Sequence, residues 1–221
     1  MKVYFISGIG ADYRFFTHIR LPPGYEARYI HWIPTIKNEP LSDYAFRLTT
    51  QIDTTEPFAL VGLSLGGIMS VEIAKRIPPV CTILISSIPL SSELPPLYKL
   101  AGALKLGRLI PATLLKIAAL AKHSLTMPGA HNRRLMRNVI GDGDNRFIRW
   151  ALNAVLEWKN EVLPQPLFHL HGTRDEVFPF RRTHPTHTIL KGDHMFLIHR
   201  HDIVNQILGD ILPTPQNRTP A

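Results

Sequence analysis

The chain has 221 residues, 45% of them hydrophobic, with one cysteine and a formal net charge of +8. That length can bury one substantial core, while no apolar run approaches the roughly 20 residues of a membrane-spanning helix. The lone Cys81 excludes an internal disulfide, and the apolar stretch 3–6 is too short to be the core of a signal peptide, so the expected setting is cytoplasmic.

In chain order, residues 3–6 read as a buried strand that runs into Ser7-Gly8-Ile9-Gly10-Ala11-Asp12. Asp12 is placed to cap a short helix to about residue 19, with Phe15, Phe16 and Ile19 inward. Residues 26–32 form a second strand, and Ser42 and Asp43 open a helix to about residue 52. A third strand, 58–61, makes Gly62-Leu63-Ser64-Leu65-Gly66 and passes at once into helical spacing at Ile68, Val71, Ile73 and Ala74. Pro78-Pro79 ends that helix, and 80–86 is a fourth strand that buries Cys81. Strands and helices alternating over short connections call for a parallel sheet with helices on both faces.

From Glu93 to Glu161 no strand is expected. Four helices are, near 97–104, 114–120, 132–140 and 145–158, separated by Pro111, Pro128 and Gly141-Asp142-Gly143. Between Glu93 and Asn160 there are eleven Lys/Arg against four Asp/Glu, so most of the net charge sits here. Two readings stay open: solvated helix faces, or a basic face for anionic substrates, lipid headgroups or nucleic acid. No nucleic-acid-binding motif supports the last of these. The alternation then resumes with a strand at 167–171 ending in Gly172-Thr173-Arg174-Asp175. A helical turn near 178–182, a strand at 187–190, and Gly192-Asp193-His194 lead to a last helix of about 195–210. The tail from Pro213 has the composition of a disordered segment.

The turn at Ser64 is so sharp that Gly62 and Gly66 must remove side chains where strand and helix backbones crowd. Ser64 is thereby lifted clear above the N–H end of the helix, whose partial positive charge favours a developing oxyanion. The competing reading is an ordinary Gly-rich turn with Ser64 as a helix cap. A serine hydroxyl becomes a good nucleophile only when an imidazole accepts its proton, and the imidazole needs a carboxylate behind it. Ser64, Asp175 and His194 all fall in loops at strand carboxyl ends, in that order. Rivals surround them. Glu176 neighbours Asp175. Asp193, beside His194, reads as a loop or capping residue. His171 lies at a strand end near the site, with His169 read as facing the other way. His199 and His201 read as a solvated helix face, and His123 and His131 as surface residues of the helical segment. No set of ligands has metal-site spacing.

Over nearly its whole length the chain resembles an α/β-hydrolase. G-L-S-L-G resembles the nucleophile elbow, H-G-T-R-D-E-V-F-P at 171–179 the acid-bearing stretch, and G-D-H-M at 192–195 the histidine loop. Ser7-Gly8-Ile9-Gly10 resembles the His-Gly-type oxyanion loop, with serine where histidine is commoner. The resemblance implies an α/β fold, one α/β-hydrolase domain over 1–212. Its sheet would have about six mostly parallel strands, with a helical lid inserted at about 91–163 and a disordered tail at 213–221. By the same resemblance residues 3–6 would correspond to the family's third strand, and its first two would be missing. The family spacing favours Asp175 over Glu176 as the acid. Ser64 would be the nucleophile, His194 the proton shuttle and Asp175 its orienter. The backbone N–H groups of Leu65 and Ile9, with Gly10 as the alternative to Ile9, would form the oxyanion hole.

No cofactor and no metal are implied. The lid residues Leu97, Leu104, Leu114 and Leu115 would line an acyl or aromatic pocket or pack the lid onto the core. The implied reaction is hydrolysis of a small carboxylic ester or thioester through an acyl-serine. The same frame also hosts C–C hydrolysis, haloperoxidase-like and hydroxynitrile-lyase-like chemistry, and ligand binding without catalysis. The basic insert leaves room for an anionic substrate or surface, and the oligomeric state stays open.

Overall fold

The computed structural model, which describes residues 1–109 and 111–213, has the strands β1 (Lys2–Ile6), β2 (Glu26–Ile30), β3 (Phe58–Leu63), β4 (Cys81–Ile85), β5 (Leu167–Gly172) and β6 (His187–Ile189). The expected tail at 213–221 therefore lies almost wholly outside the described residues. The helices are α1 (Leu41–Leu48), α2 (Leu65–Ala74), α3 (Pro96–Ala103), α4 (Ala112–Thr126), α5 (Ala130–Asp142), α6 (Asn145–Glu157), α7 (Phe196–His199) and α8 (His201–Ile211). All strand pairs are parallel, in the order β2-β1-β3-β4-β5-β6. The chain steps outward from β1 to β2 and then returns past β1 to β3. The order reverses there, and a reversal opens a crevice at the strands' carboxyl ends.

Side chains alternate between the two sheet faces. Tyr4, Ile6, Phe58 and Leu60 share one core with α1 and α2. Val3, Phe5, Ala59, Val61 and Leu63 share the other with Phe15, Phe16, α7 and α8. Both faces are covered, which is why β3 is buried at every position and reads as a continuous apolar run.

Three elements differ from their sequence expectation. The helix expected after Asp12 is a single 3-10 turn, Tyr13–Phe16. Asp12 does cap it, accepting the Arg14 N–H at 2.9 Å, but the bonds that follow span three residues, Thr17 N–H to Arg14 O at 3.4 Å and Ile19 N–H to Phe16 O at 2.9 Å, and no α-helical ladder forms. The helix after Pro40 begins at Leu41 and ends in a 3-10 turn at Thr49–Gln51. The last helix is broken at Arg200, whose φ is −132° and whose guanidinium donates to the Leu190 carbonyl at 2.6 Å.

Between β4 and β5 every described regular element is helical. Its two ends are strapped together: Ser91 N–H donates to Asn160 O at 3.0 Å, and Asn160 Nδ2 donates to Pro89 O at 2.8 Å. α6 is the anchor. Trp150 lies 4.2 Å from the Tyr44 ring on α1, and Phe147 lies 4.7 Å from Trp32, centroid to centroid. Such pairs contribute about 0.5–1.5 kcal/mol each beyond their buried area. The indoles are satisfied too, Trp150 Nε1 by Glu39 O at 2.9 Å and Trp158 Nε1 by Glu72 Oε1 at 2.8 Å. Leu97, Leu104 and Leu114 do neither job expected of them: they face solvent, and Leu115 is only half-buried. α3 turns Gly102 inward instead, so close to α6 that a Cβ there would lie 2.3 Å from Leu156 O.

Glu93, at the start of this segment, is 5% exposed and its Oε2 has no hydrogen-bond partner among the described residues. Burial pushes its carboxyl up to about 7. The unfolded chain loses this proton near pH 4.3, the folded chain only near 7. Glu93 therefore costs stability as pH rises through that window, fully so above it. Glu93→Gln is expected to stabilise the fold by about 3–4 kcal/mol near pH 8 and not near pH 4. Thermal melts at the two pH values test this; an equal gain at both would refute it.

Candidate active site

The elbow after β3 is made by backbone contact. A Cβ on Gly62 would lie 2.3 Å from Gly66 O, and one on Gly66 would lie 2.0 Å from Ile6 O. The strand and helix can meet so closely only because neither residue has a side chain. Ser64 between them has φ 53° and ψ −117°, a conformation that costs a non-glycine residue on the order of 1–3 kcal/mol. It is held by its own N–H to Ile85 O at 2.9 Å and by Ser87 Oγ donating to Ser64 O at 2.7 Å.

Three groups from three loops meet at this tip. His194 Nε2 lies 3.0 Å from Ser64 Oγ, and His194 Nδ1 lies 2.9 Å from Asp175 Oδ2. Asp175 is buried, and its Oδ1 also accepts the N–H groups of Val177 and Phe178, both at 2.9 Å. Burial alone would push the Asp175 carboxyl up. The positive charge that His194 carries when protonated and its hydrogen bond, with nearby His171 and the Phe178 N–H, outweigh it and hold the carboxyl below its usual range. A carboxylate can only accept, so Nδ1 of His194 carries the proton and Nε2 is left to accept from the Ser64 hydroxyl. Beside Ser64 runs the loop after β1: a Cβ on Gly8 would lie 3.4 Å from Ser64 Cβ. Ile9 follows it and is partly exposed. Leu65 opens α2, so its N–H belongs to the first turn, which no earlier carbonyl in the helix can satisfy.

No family profile and no curated sequence matches the chain. Solved structures do. MenH from S. aureus aligns with a TM-score of 0.72 at 18% identity over 94% of this chain and 91% of that one. Est816, described as an N-acyl homoserine lactone degrading enzyme, aligns with a TM-score of 0.69 at 15% identity over 96% and 93%. An esterase from Thermogutta terrifontis aligns with a TM-score of 0.68 at 16% identity over 94% and 88%. The chain has the α/β-hydrolase fold. Its helical segment between β4 and β5 touches the loop after β1 and the loop that carries Asp175. Ile148 Cδ1 would lie 3.4 Å from a Cβ on Gly10, and Lys122 of α4 pairs with Glu176.

Within this α/β-hydrolase fold the rivals find other partners. Glu176 binds Lys122 and accepts the His194 backbone N–H at 3.3 Å. Asp193 accepts the Met195 N–H at 2.9 Å, closing its loop. His199 Nε2 lies 3.7 Å from Asp193, and His201 Nδ1 lies 3.2 Å from Ile198 O. His131 is exposed, and the His123 side chain lies outside the described residues. Among the described residues no group of three or more His, Cys, Asp or Glu is arranged to hold a metal ion.

The expectation for His169 and His171 is overturned. Residues two apart on a strand share a face, and the two rings touch, with His169 Nε2 at 3.2 Å from His171 Nδ1. His171 Nε2 lies 2.8 Å from Phe178 O, so it donates there and accepts at Nδ1 from His169. Burial pushes His169 down to about 3 and lowers His171 as well, keeping both neutral. This buried pair fixes the loop that carries Asp175. Spacing on β5 was the signal for it.

Two clefts border the helical segment, and neither is lined by Ser64, Asp175 or His194. One of about 330 Å³ is lined by Gly10, Ala11, Trp32, Gly143 and Phe147, and so backs onto the loop after β1. The larger, about 880 Å³, lies between residues 35–42, α2 and α6.

Proposed function

We propose that the chain is a serine hydrolase that cleaves a carboxylic ester or thioester through an acyl-enzyme. The observation that carries this reading is the unbroken contact from Ser64 Oγ through His194 to Asp175, at 3.0 and 2.9 Å. His194 Nε2 takes the hydroxyl proton as Ser64 Oγ attacks the substrate carbonyl carbon, and Asp175 steadies the imidazolium that forms. The backbone N–H groups of Leu65 and Ile9 receive the developing oxyanion, typically worth about 3–4 kcal/mol of barrier for each donor. The proton passes to the leaving alcohol or thiol, the acyl group stays on Ser64, and a water activated by the same imidazole releases it. The domain spans 1–212, with residues 91–163 as its lid; the contacts of Ile148 with Gly10 and of Lys122 with Glu176 support that role. No cofactor enters this chemistry. The names of the aligned esterase and lactone-degrading enzyme agree with it.

The test is a series of p-nitrophenyl esters and acyl thioesters of increasing chain length, run beside a fluorophosphonate probe. Turnover of at least one series with rapid labelling at Ser64 is expected. Slow or absent labelling would favour a ligand-binding module. Labelling without ester or thioester turnover would favour another reaction on the same frame.

A further inference from the structure

Residues 94–141 contain eight Lys/Arg and no Asp or Glu. An ordinary solvated helical surface interleaves both signs. On the same stretch Leu97, Leu100, Leu104, Leu106, Leu114 and Ile117 are 40–71% exposed. Positions 97 and 100 fall on one stripe of α3, which Leu104 continues at the helix's C-cap, and 114 and 117 fall on one stripe of α4. The outward faces of these two helices are thus apolar, the reverse of a helix packed on a soluble core. Lys99 and Lys105 flank the α3 stripe and are exposed; Lys99 Nζ also donates to Ser92 O at 2.9 Å.

We infer that α3 and α4 dock this protein onto an anionic lipid surface, the leucines entering the headgroup boundary and the lysines meeting lipid phosphates. Apolar contact with flanking cations is the composition that holds a helix in the plane of a membrane interface. Charge decides the occupant. A second copy meeting this face would set two acid-free cationic segments against each other. A nucleic acid would find leucines where it needs stacking rings: the one aromatic residue of 94–141, Tyr98, packs against the core. The inference stands apart from the hydrolytic reading, because lipid binding is measured without turnover.

The experiment is co-sedimentation of the full chain with phosphatidylcholine vesicles, with and without about 30% phosphatidylglycerol, at about 0.05 and 0.5 M salt. Binding at least about ten-fold tighter to the anionic vesicles, and weakened by salt, is expected. The variant Leu97→Ser/Leu100→Ser/Leu104→Ser and the variant Lys99→Glu/Lys105→Glu should each lose about ten-fold of it. Arg134→Glu/Arg137→Glu, on α5, should keep most of it. The substituted leucines are exposed, so melting is expected to stay unchanged; if it does not, Leu100→Ser alone takes their place. No binding, equal binding to both vesicles, or loss confined to the α5 variant would overturn the inference. So would a concentration-dependent dimer, seen by light scattering, that the leucine variant abolishes in a protein that ignores vesicles.

Discussion

Ser64→Ala is expected to lower kcat on the best ester by a factor on the order of 10⁵–10⁶ while the melting temperature moves by no more than about 2 °C. The two effects separate because of what holds the residue. Its backbone is fixed by Ile85 O and by the Ser87 hydroxyl, and alanine carries the same Cβ through the same φ. The hydroxyl itself contacts His194, so its loss removes the nucleophile and little packing. His194→Ala should cost a similar factor, and the double variant little more than either, because the two act as one unit. Residual turnover should also lose its covalent intermediate, seen as loss of fluorophosphonate labelling. Undiminished ester hydrolysis by Ser64→Ala would end the proposal.

Much of this was legible in the sequence, for a physical reason. The turn at Ser64 needs two residues without side chains at fixed offsets: a Cβ on Gly62 would lie 2.3 Å from Gly66 O, and one on Gly66 2.0 Å from Ile6 O. A requirement that strict leaves its mark in one dimension. The central strands β3 and β4 were legible because both sheet faces are covered there, which turns them into short continuous apolar runs. The helical segment after β4 was legible as helix but not in orientation. Leu97, Leu104 and Leu114 have helical spacing, and spacing says that a stripe exists without saying which way it faces. The orientation is set by distant partners: Gly102 closing on Leu156, and Trp150 stacking on Tyr44. The His169–His171 contact was legible from period two along β5 and was misread.

The choice between adjacent carboxylates, Asp175 and Glu176, gives the second large effect. Asp175→Asn is expected to reduce kcat by about 10⁴, and Glu176→Gln by no more than about three-fold. In the asparagine variant the amide oxygen can still accept from the Val177 and Phe178 N–H groups, which bind Oδ1 at 2.9 Å. The loop therefore keeps its shape, steadied by His171 donating to Phe178 O. The amide NH₂ then faces His194 Nδ1, where a carboxylate oxygen lay at 2.9 Å. A donor there asks Nδ1 to accept, which moves the ring proton to Nε2, and an Nε2–H cannot take the proton of Ser64. Raising pH should restore part of the asparagine variant's rate, because hydroxide can deprotonate the serine that the wrong tautomer leaves protonated. Glu176→Gln removes the ion pair with Lys122, half-exposed and worth at most about 1 kcal/mol. A glutamine oxygen still accepts the His194 backbone N–H that Glu176 Oε2 holds at 3.3 Å. A large loss for Glu176→Gln with a small one for Asp175→Asn would exchange the two roles, and would require His194 to turn its ring away from the carboxylate it now faces.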